Sequence, residues 1–250
     1  MANQDKRKSL FYILNLQEQQ MVLTHGMSFY DFRKATRFPL KNVLLLKEDS
    51  LLPDVNLHTM LPYATAETMP LLDKKTEGKM CWVDVDDMES VNTLTDIDIA
   101  HLLFLGHKMG PVRTPFSPVL HNRYAFLSQD DGFYTKIYYQ KATNYIFLFG
   151  QFITSQYAKH LQKKRFLFSQ KEVVPALSIE LATHLFELSE DGLVLQFSET
   201  ETNRTYIRTP LWLIGSYSNM DDMLDSAEEK KKTTSYSAYL VFIRRKENGL

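Results

Sequence analysis

A single cysteine, Cys81, stands in 250 residues. An internal disulfide is therefore excluded, as is any zinc site built on cysteine ligands. Its neighbours Met80, Trp82 and Val83 make it read as a buried, inert thiol on a strand. Glycine is also scarce, at nine residues. The chain contains no GxxxxGK[ST] and no GxGxxG, so the glycine-rich phosphate cradles are missing. Gly215-Ser216 lacks the second glycine of a nucleophile elbow, and there is no HExxH and no HxH pair. Any enzymatic site would have to be assembled from scattered residues.

Charge of one sign is lacking as well. Lys and Arg number 29 against 30 Asp and Glu, a net charge of −1, so the bulk charge that drives nucleic-acid binding is absent. The N-terminal apolar run, Leu10–Leu16, is too short to span a bilayer, and no other run reaches membrane length. Polar Gln17-Glu18-Gln19-Gln20 follows it where a signal peptide would show a small-residue cleavage site. The sequence predicts a cytoplasmic protein with no membrane contact, and the lack of paired cysteines agrees.

Apolar residues make up 44% of the chain, enough to bury a core without staples. Phe and Tyr are abundant, at 16 and 13, which favours strands. Residues 9–24 read as two strands around Gln17–Gln19, although one helix fits the same apolar run. Residues 28–36 read as a short helix and 42–48 as a buried strand. From Leu51 to Lys79, Pro53, Pro62, Pro70 and Gly78 suggest a long irregular connection with at most one helical turn. Residues 79–88 return to strand, with Cys81, Val83 and Val85 on one side. Thr95 and Asp98 form a capping box at the head of a helix. Its Ile97, Leu102, Leu103, Phe104 and Leu105 predict a largely buried element.

The hairpin signal at 123–140 is strong, because Asp131-Gly132 suits a tight reversed turn. That turn would set Phe126 opposite Ile137 and Tyr124 opposite Tyr139. One face of the hairpin is apolar. The other carries Arg123, Leu127, Tyr134, Lys136 and Tyr138 and is expected nearer water. Further on, 143–164 and 173–188 read as helices. Two strands lie around Thr202-Asn203, a polar helix or loop occupies 218–235, and a last strand covers 237–245. The pattern predicts an α+β protein with a mainly antiparallel sheet built from hairpins and three or four packed helices. It fits a single domain over 1–250, with a possible subdivision into 1–170 and 171–250.

Four groups of residues are candidate sites. His107, Arg113 and His121 flank the proline-rich stretch before the hairpin, with Asp130-Asp131 at its tip. A histidine to move a proton and an arginine to hold an anion would suit a small hydrolase or phosphate-handling enzyme. Helix-end and turn chemistry explain the same residues without catalysis. Asp84 and Asp86 lie on one side of a strand and could hold Mg²⁺, unless they simply mark its polar end. Arg123, Tyr134, Lys136 and Tyr138 would make a contact surface, since Tyr and Arg dominate interface energetics. A helix at 176–188 followed by a hairpin with Asn203-Arg204 near its tip is a winged-helix-like order, and with Lys163, Lys164, Arg165, Arg204, Arg208, Arg244 and Arg245 it raises DNA binding. The helix there is too acidic and apolar to read a groove. The sequence thus favours a non-catalytic regulatory or accessory protein that binds a protein partner and needs no cofactor.

Overall fold

The structure, a computed structural model, describes residues 10–46, 55–56, 61–75, 80–107, 112–129, 134–163, 174–203, 205–217, 220–233 and 238–243. It is a mixed α+β protein in which every strand pairing among the described residues is antiparallel. Seven α-helices stand among these residues, four of them ten residues or longer. The chain falls into two compact units. A central unit comprises Leu16–Tyr145, and a terminal unit comprises Met1–Asn15 with Ile146–Leu250. Among the described residues, no helix is long and apolar enough to cross a membrane.

Strands β1 (Leu10–Leu16) and β2 (Met21–His25) flank a single 3-10 turn at Gln17–Gln19. Gln20 closes that turn with a left-handed φ of 48° and an N–H bond to Gln17 O at 2.9 Å. This polar turn interrupts the apolar run, so two strands form in place of one helix.

In the central unit, helix α1 (Phe29–Ala35) follows β2, with the Ser28 hydroxyl accepting from the Asp31 amide. Strands β3 (Asn42–Leu45), β4 (Val55–Asn56) and β5 (Leu61–Thr65) come next, then helix α2 (Met69–Lys75) and strand β6 (Cys81–Val85). The connection expected over residues 51–79 is therefore partly regular. Pro62 is accommodated inside β5, and Pro70 falls in the first turn of α2, where a missing N–H costs nothing. Helices α3 (Met88–Asn92) and α4 (Asp96–His107) lead to strands β7 (Tyr124–Gln129) and β8 (Tyr134–Tyr139). The strand order is β2-β8-β7-β6-β3-β5-β4.

The register of β7 on β8 pairs Tyr124 with Tyr139 and Phe126 with Ile137, as the sequence predicts. The Asp131-Gly132 turn itself lies outside the described residues. What differs is the far face of the hairpin. Cys81, Val83 and Val85 of β6 and Ala125, Leu127 and Tyr138 of the hairpin join Val91, Leu102 and Leu105 from α3 and α4 in one apolar cluster. On the other face Trp82 stacks on Phe126 at 5.4 Å, and Phe32 of α1 meets Trp82, Tyr124 and Phe126 edge-on at 5.2, 5.1 and 5.7 Å. Helices cover the sheet on both sides. The expected water-facing row is corrected accordingly: Tyr138 is 1% exposed and Tyr134 8%. A phenol is amphipathic, so alternation of Tyr and Lys reads as polar in sequence and still packs.

The terminal unit contains helix α5 (Ala142–Lys163) from Ile146 onward, α6 (Ile179–Leu188), α7 (Met220–Thr233) and strands β9 (Leu193–Gln196), β10 (Glu201–Thr202), β11 (Tyr206–Leu213) and β12 (Ala238–Ile243). Strand β1 pairs with β9 and β9 with β11, which also carries β10 and β12. Phe149, Phe152, Ile153 and Tyr157 recur at helical spacing along α5 and are buried, with Phe152 4.6 Å from Phe11 of β1. Gly192, at φ 69°, opens β9. A Cβ there would fall 1.9 Å from the Gly215 carbonyl oxygen, so conformation and space both require glycine.

Candidate interaction surfaces of the central unit

Asp84 sits in β6 beside Trp82 and points at the start of β7. It is 1% exposed. One carboxylate oxygen accepts from the backbone amides of Arg123 at 2.8 Å and Tyr124 at 2.7 Å. The other accepts from Arg123 Nε at 3.0 Å. Burial pushes this carboxyl up from its ordinary 3.8, while the amides and the guanidinium pull it back without cancelling the rise. Next to it, Asn122 pins the preceding loop. Its side-chain oxygen accepts from the Ser117 amide at 2.7 Å, and its amide nitrogen donates to the Pro115 and Tyr124 carbonyls at 3.1 Å each. Two buried polar side chains, each making three hydrogen bonds, thus set where Arg123 emerges.

Arg123 reaches outward from this anchor. Its Nη2 lies 3.5 Å from Asp86, which also faces Lys41 at 3.9 Å. The place between Asp84 and Asp86, where the sequence suggested a metal ion, is spanned by the guanidinium. Asp87 is used otherwise: its side chain caps α3, accepting from the Glu89 amide at 3.1 Å. Among the described residues, no group of three or more His, Cys, Asp or Glu gathers to hold a metal ion.

The Arg123 guanidinium also lies over the ring of Phe38, 6.0 Å from its centroid, and Arg37 lies over the same ring at 5.4 Å. Phe38 is 50% exposed. On neighbouring α1, Lys34 lies over Tyr30 at 5.9 Å, and Tyr30 is 41% exposed. Of the four contact residues taken from the sequence, Arg123 reaches this surface, Lys136 is half-buried, and Tyr134 and Tyr138 are in the interior. Phe38, Arg37 and Tyr30 were missed because nothing in a local pattern marks an aromatic side chain that stays outside.

A second surface lies on α4. Its capping box is present, with Thr95 N–H donating to Asp98 at 2.8 Å and the Asp98 amide donating to the Thr95 hydroxyl at 3.2 Å. Leu102 and Leu105 enter the core. Gly106 lies so close to β3's end that a Cβ would come 2.6 Å from Leu46 O. The expectation of a largely buried helix is corrected here. Ile97 is 81% exposed, Phe104 60% and Leu103 40%. Large apolar residues lie on more than one face of the helix, but only one face has a core to enter, so the rest meet water.

The remaining candidates are spread out. His107 ends α4 and is exposed, Arg113 is exposed in the following loop, and His121 is exposed at a left-handed φ of 50°. No hydrogen bond or ion pair joins any two of them. His121 closes its turn through its backbone, donating N–H to Ser117 O at 3.1 Å. Asp130 and Asp131 lie outside the described residues, as do Lys164, Arg165, Arg204, Arg244 and Arg245. Arg208 is paired with Glu201 at 2.6 Å. Helix α6 buries Ala182, Leu185 and Phe186 and exposes Glu180 and Glu187, which repel phosphate. Comparison with protein-family models, curated proteins and solved structures gives no match.

Proposed function

We propose that this protein is a non-catalytic regulatory or accessory factor that works by binding a protein partner through the outer face of α4. The exposure of Ile97, Leu103 and Phe104 on one twelve-residue helix carries this reading. Scattered exposed apolar residues need no explanation, but three large ones on one rigid element do. Full burial of each such side chain is worth about 1.5–3 kcal/mol. The helix is held in place from behind by Leu102, Leu105 and the close approach at Gly106, so the face is presented without an ordering cost. Asp96 and Asp98 lie in its first turn. The matching partner is an amphipathic helix, apolar where it meets α4 and basic beside these aspartates.

The experiment is affinity capture from lysate with identification by mass spectrometry, run beside an Ile97→Asp/Phe104→Asp double variant. A protein retained by the native chain and lost from a variant with an unchanged unfolding midpoint, and whose binding segment is a basic amphipathic helix, supports the reading. Identical retention by both forms ends it.

A further inference from the structure

We infer that the central unit carries a second binding surface, formed by Tyr30, Lys34, Arg37, Phe38, Lys41 and Arg123, whose ligand is a carboxylate-rich peptide segment bearing an apolar side chain. This surface is separate from the α4 face and does not depend on it. Between residues 30 and 41 the chain holds Arg33, Lys34, Arg37 and Lys41 against one carboxylate, Asp31. Arg33 is taken by an ion pair with Asp73 of α2. Lys34, Arg37 and Lys41 are exposed beside two exposed rings, and Asp86 is shared between Lys41 and Arg123.

Three features favour an acidic peptide. The Arg123 guanidinium is fixed by Asp84 at Nε, faces Asp86 at Nη2 and lies over Phe38, so it is held in place and little side-chain entropy is lost when a further carboxylate comes near it. The exposed Arg37 adds a second planar guanidinium, a shape suited to carboxylates. The half-exposed rings of Phe38 and Tyr30 supply apolar contact that a free anion would not use, which calls for a side chain beside the acids. A nucleic acid fits less well. Cations already lie over both rings, which reduces them as platforms for base stacking, and the chain as a whole has a net charge of −1.

Fluorescence anisotropy on the full chain tests this, with a labelled peptide alternating Glu and Phe as the probe. The same peptide with Gln for Glu and a single-stranded oligonucleotide of equal charge are the comparisons. The Glu peptide should bind, and the Gln version should bind on the order of tenfold more weakly, as expected for two surface charge pairs. A Lys34→Glu/Arg37→Glu variant and a Phe38→Ala variant, each with an unchanged unfolding midpoint, should show a comparable loss. An Ile97→Asp/Phe104→Asp variant should bind the peptide like the native chain. Equal binding of Glu and Gln peptides, no effect of the Lys34 and Arg37 reversals, or tighter binding of the oligonucleotide would each overturn the inference.

Discussion

Asp84 holds Arg123 twice, by its backbone amide at 2.8 Å and by its side-chain Nε at 3.0 Å, across 39 residues of sequence. The pair therefore acts as a register pin between β6 and the start of β7, as well as an ion pair. Asp84→Ala would leave two backbone amides without their acceptor and take away the guanidinium's inner partner, and should cost about 3 kcal/mol. Asp84→Asn keeps a carbonyl for the amides and removes a charge that burial disfavours, so it should cost only about 1 kcal/mol. A raised carboxyl contributes most below its unfolded value and loses that contribution as pH rises through its folded value. The Asn variant should thus lose least, relative to the native chain, at neutral pH. Urea unfolding of both variants at two pH values checks the order.

Asp98 and Glu180 have the opposite sign. Hydrogen bonds from the Thr95 hydroxyl and amide hold Asp98 below its ordinary 3.8. Bonds from its own amide and from Ser178 hold Glu180 below its ordinary 4.5. A carboxylate held down stabilises the fold above its unfolded value, and that help disappears as pH falls through the folded value. An Asp98→Asn/Glu180→Gln variant should be less stable than the native chain at neutral pH. The two unfolding curves should converge in acid, where both carboxyls are protonated.

Helix α4 should respond to substitution by face. Leu102→Ala or Leu105→Ala removes core volume and should cost about 2–5 kcal/mol. Ile97→Ser and Phe104→Ser should stay within about 0.5 kcal/mol of the native chain. Gly106→Ala gains about 1 kcal/mol of helix propensity but drives a methyl into Leu46, at a cost of about 1–3 kcal/mol. It should be net destabilising, and a measured gain would show that the helix can back away from β3.

Alkaline titration should be cooperative. Burial pushes Tyr12 up to about 12 and raises Tyr124, Tyr138, Tyr145 and Tyr157. Their contribution is intact below the ordinary 10.0 and is lost as pH climbs toward the folded values. Tyrosinate absorbance from these five should therefore develop together with loss of far-ultraviolet ellipticity. Ionisation of all 13 tyrosines with ellipticity unchanged would contradict the packing.

Local chemistry was readable from sequence wherever partners are close in the chain. The Asp-Gly pair implied the pairing of Phe126 with Ile137, and Thr95 with Asp98 marked the start of α4. The polar Gln17–Gln20 stretch separated β1 from β2. What escaped depends on distant residues. Nothing near Asp84 shows that its cation is Arg123 rather than a metal. Nothing near Tyr138 shows that α4 will cover it. The apolar run in α4 has no periodicity, so a buried and an exposed face could not be told apart. Proline in β5 and α2 hid two elements because its penalty vanishes at particular positions.

The three bonds of Asn122 have a kinetic meaning too. The stretch from Pro115 to Arg123 has neither helix nor strand, and such segments ordinarily open in local fluctuations. Here the Ser117 amide is bound by Asn122 and the Arg123 amide by Asp84. Deuterium should enter those two positions slowly, at rates close to those of β7 itself. The lead into the hairpin would then be as long-lived as the sheet it joins.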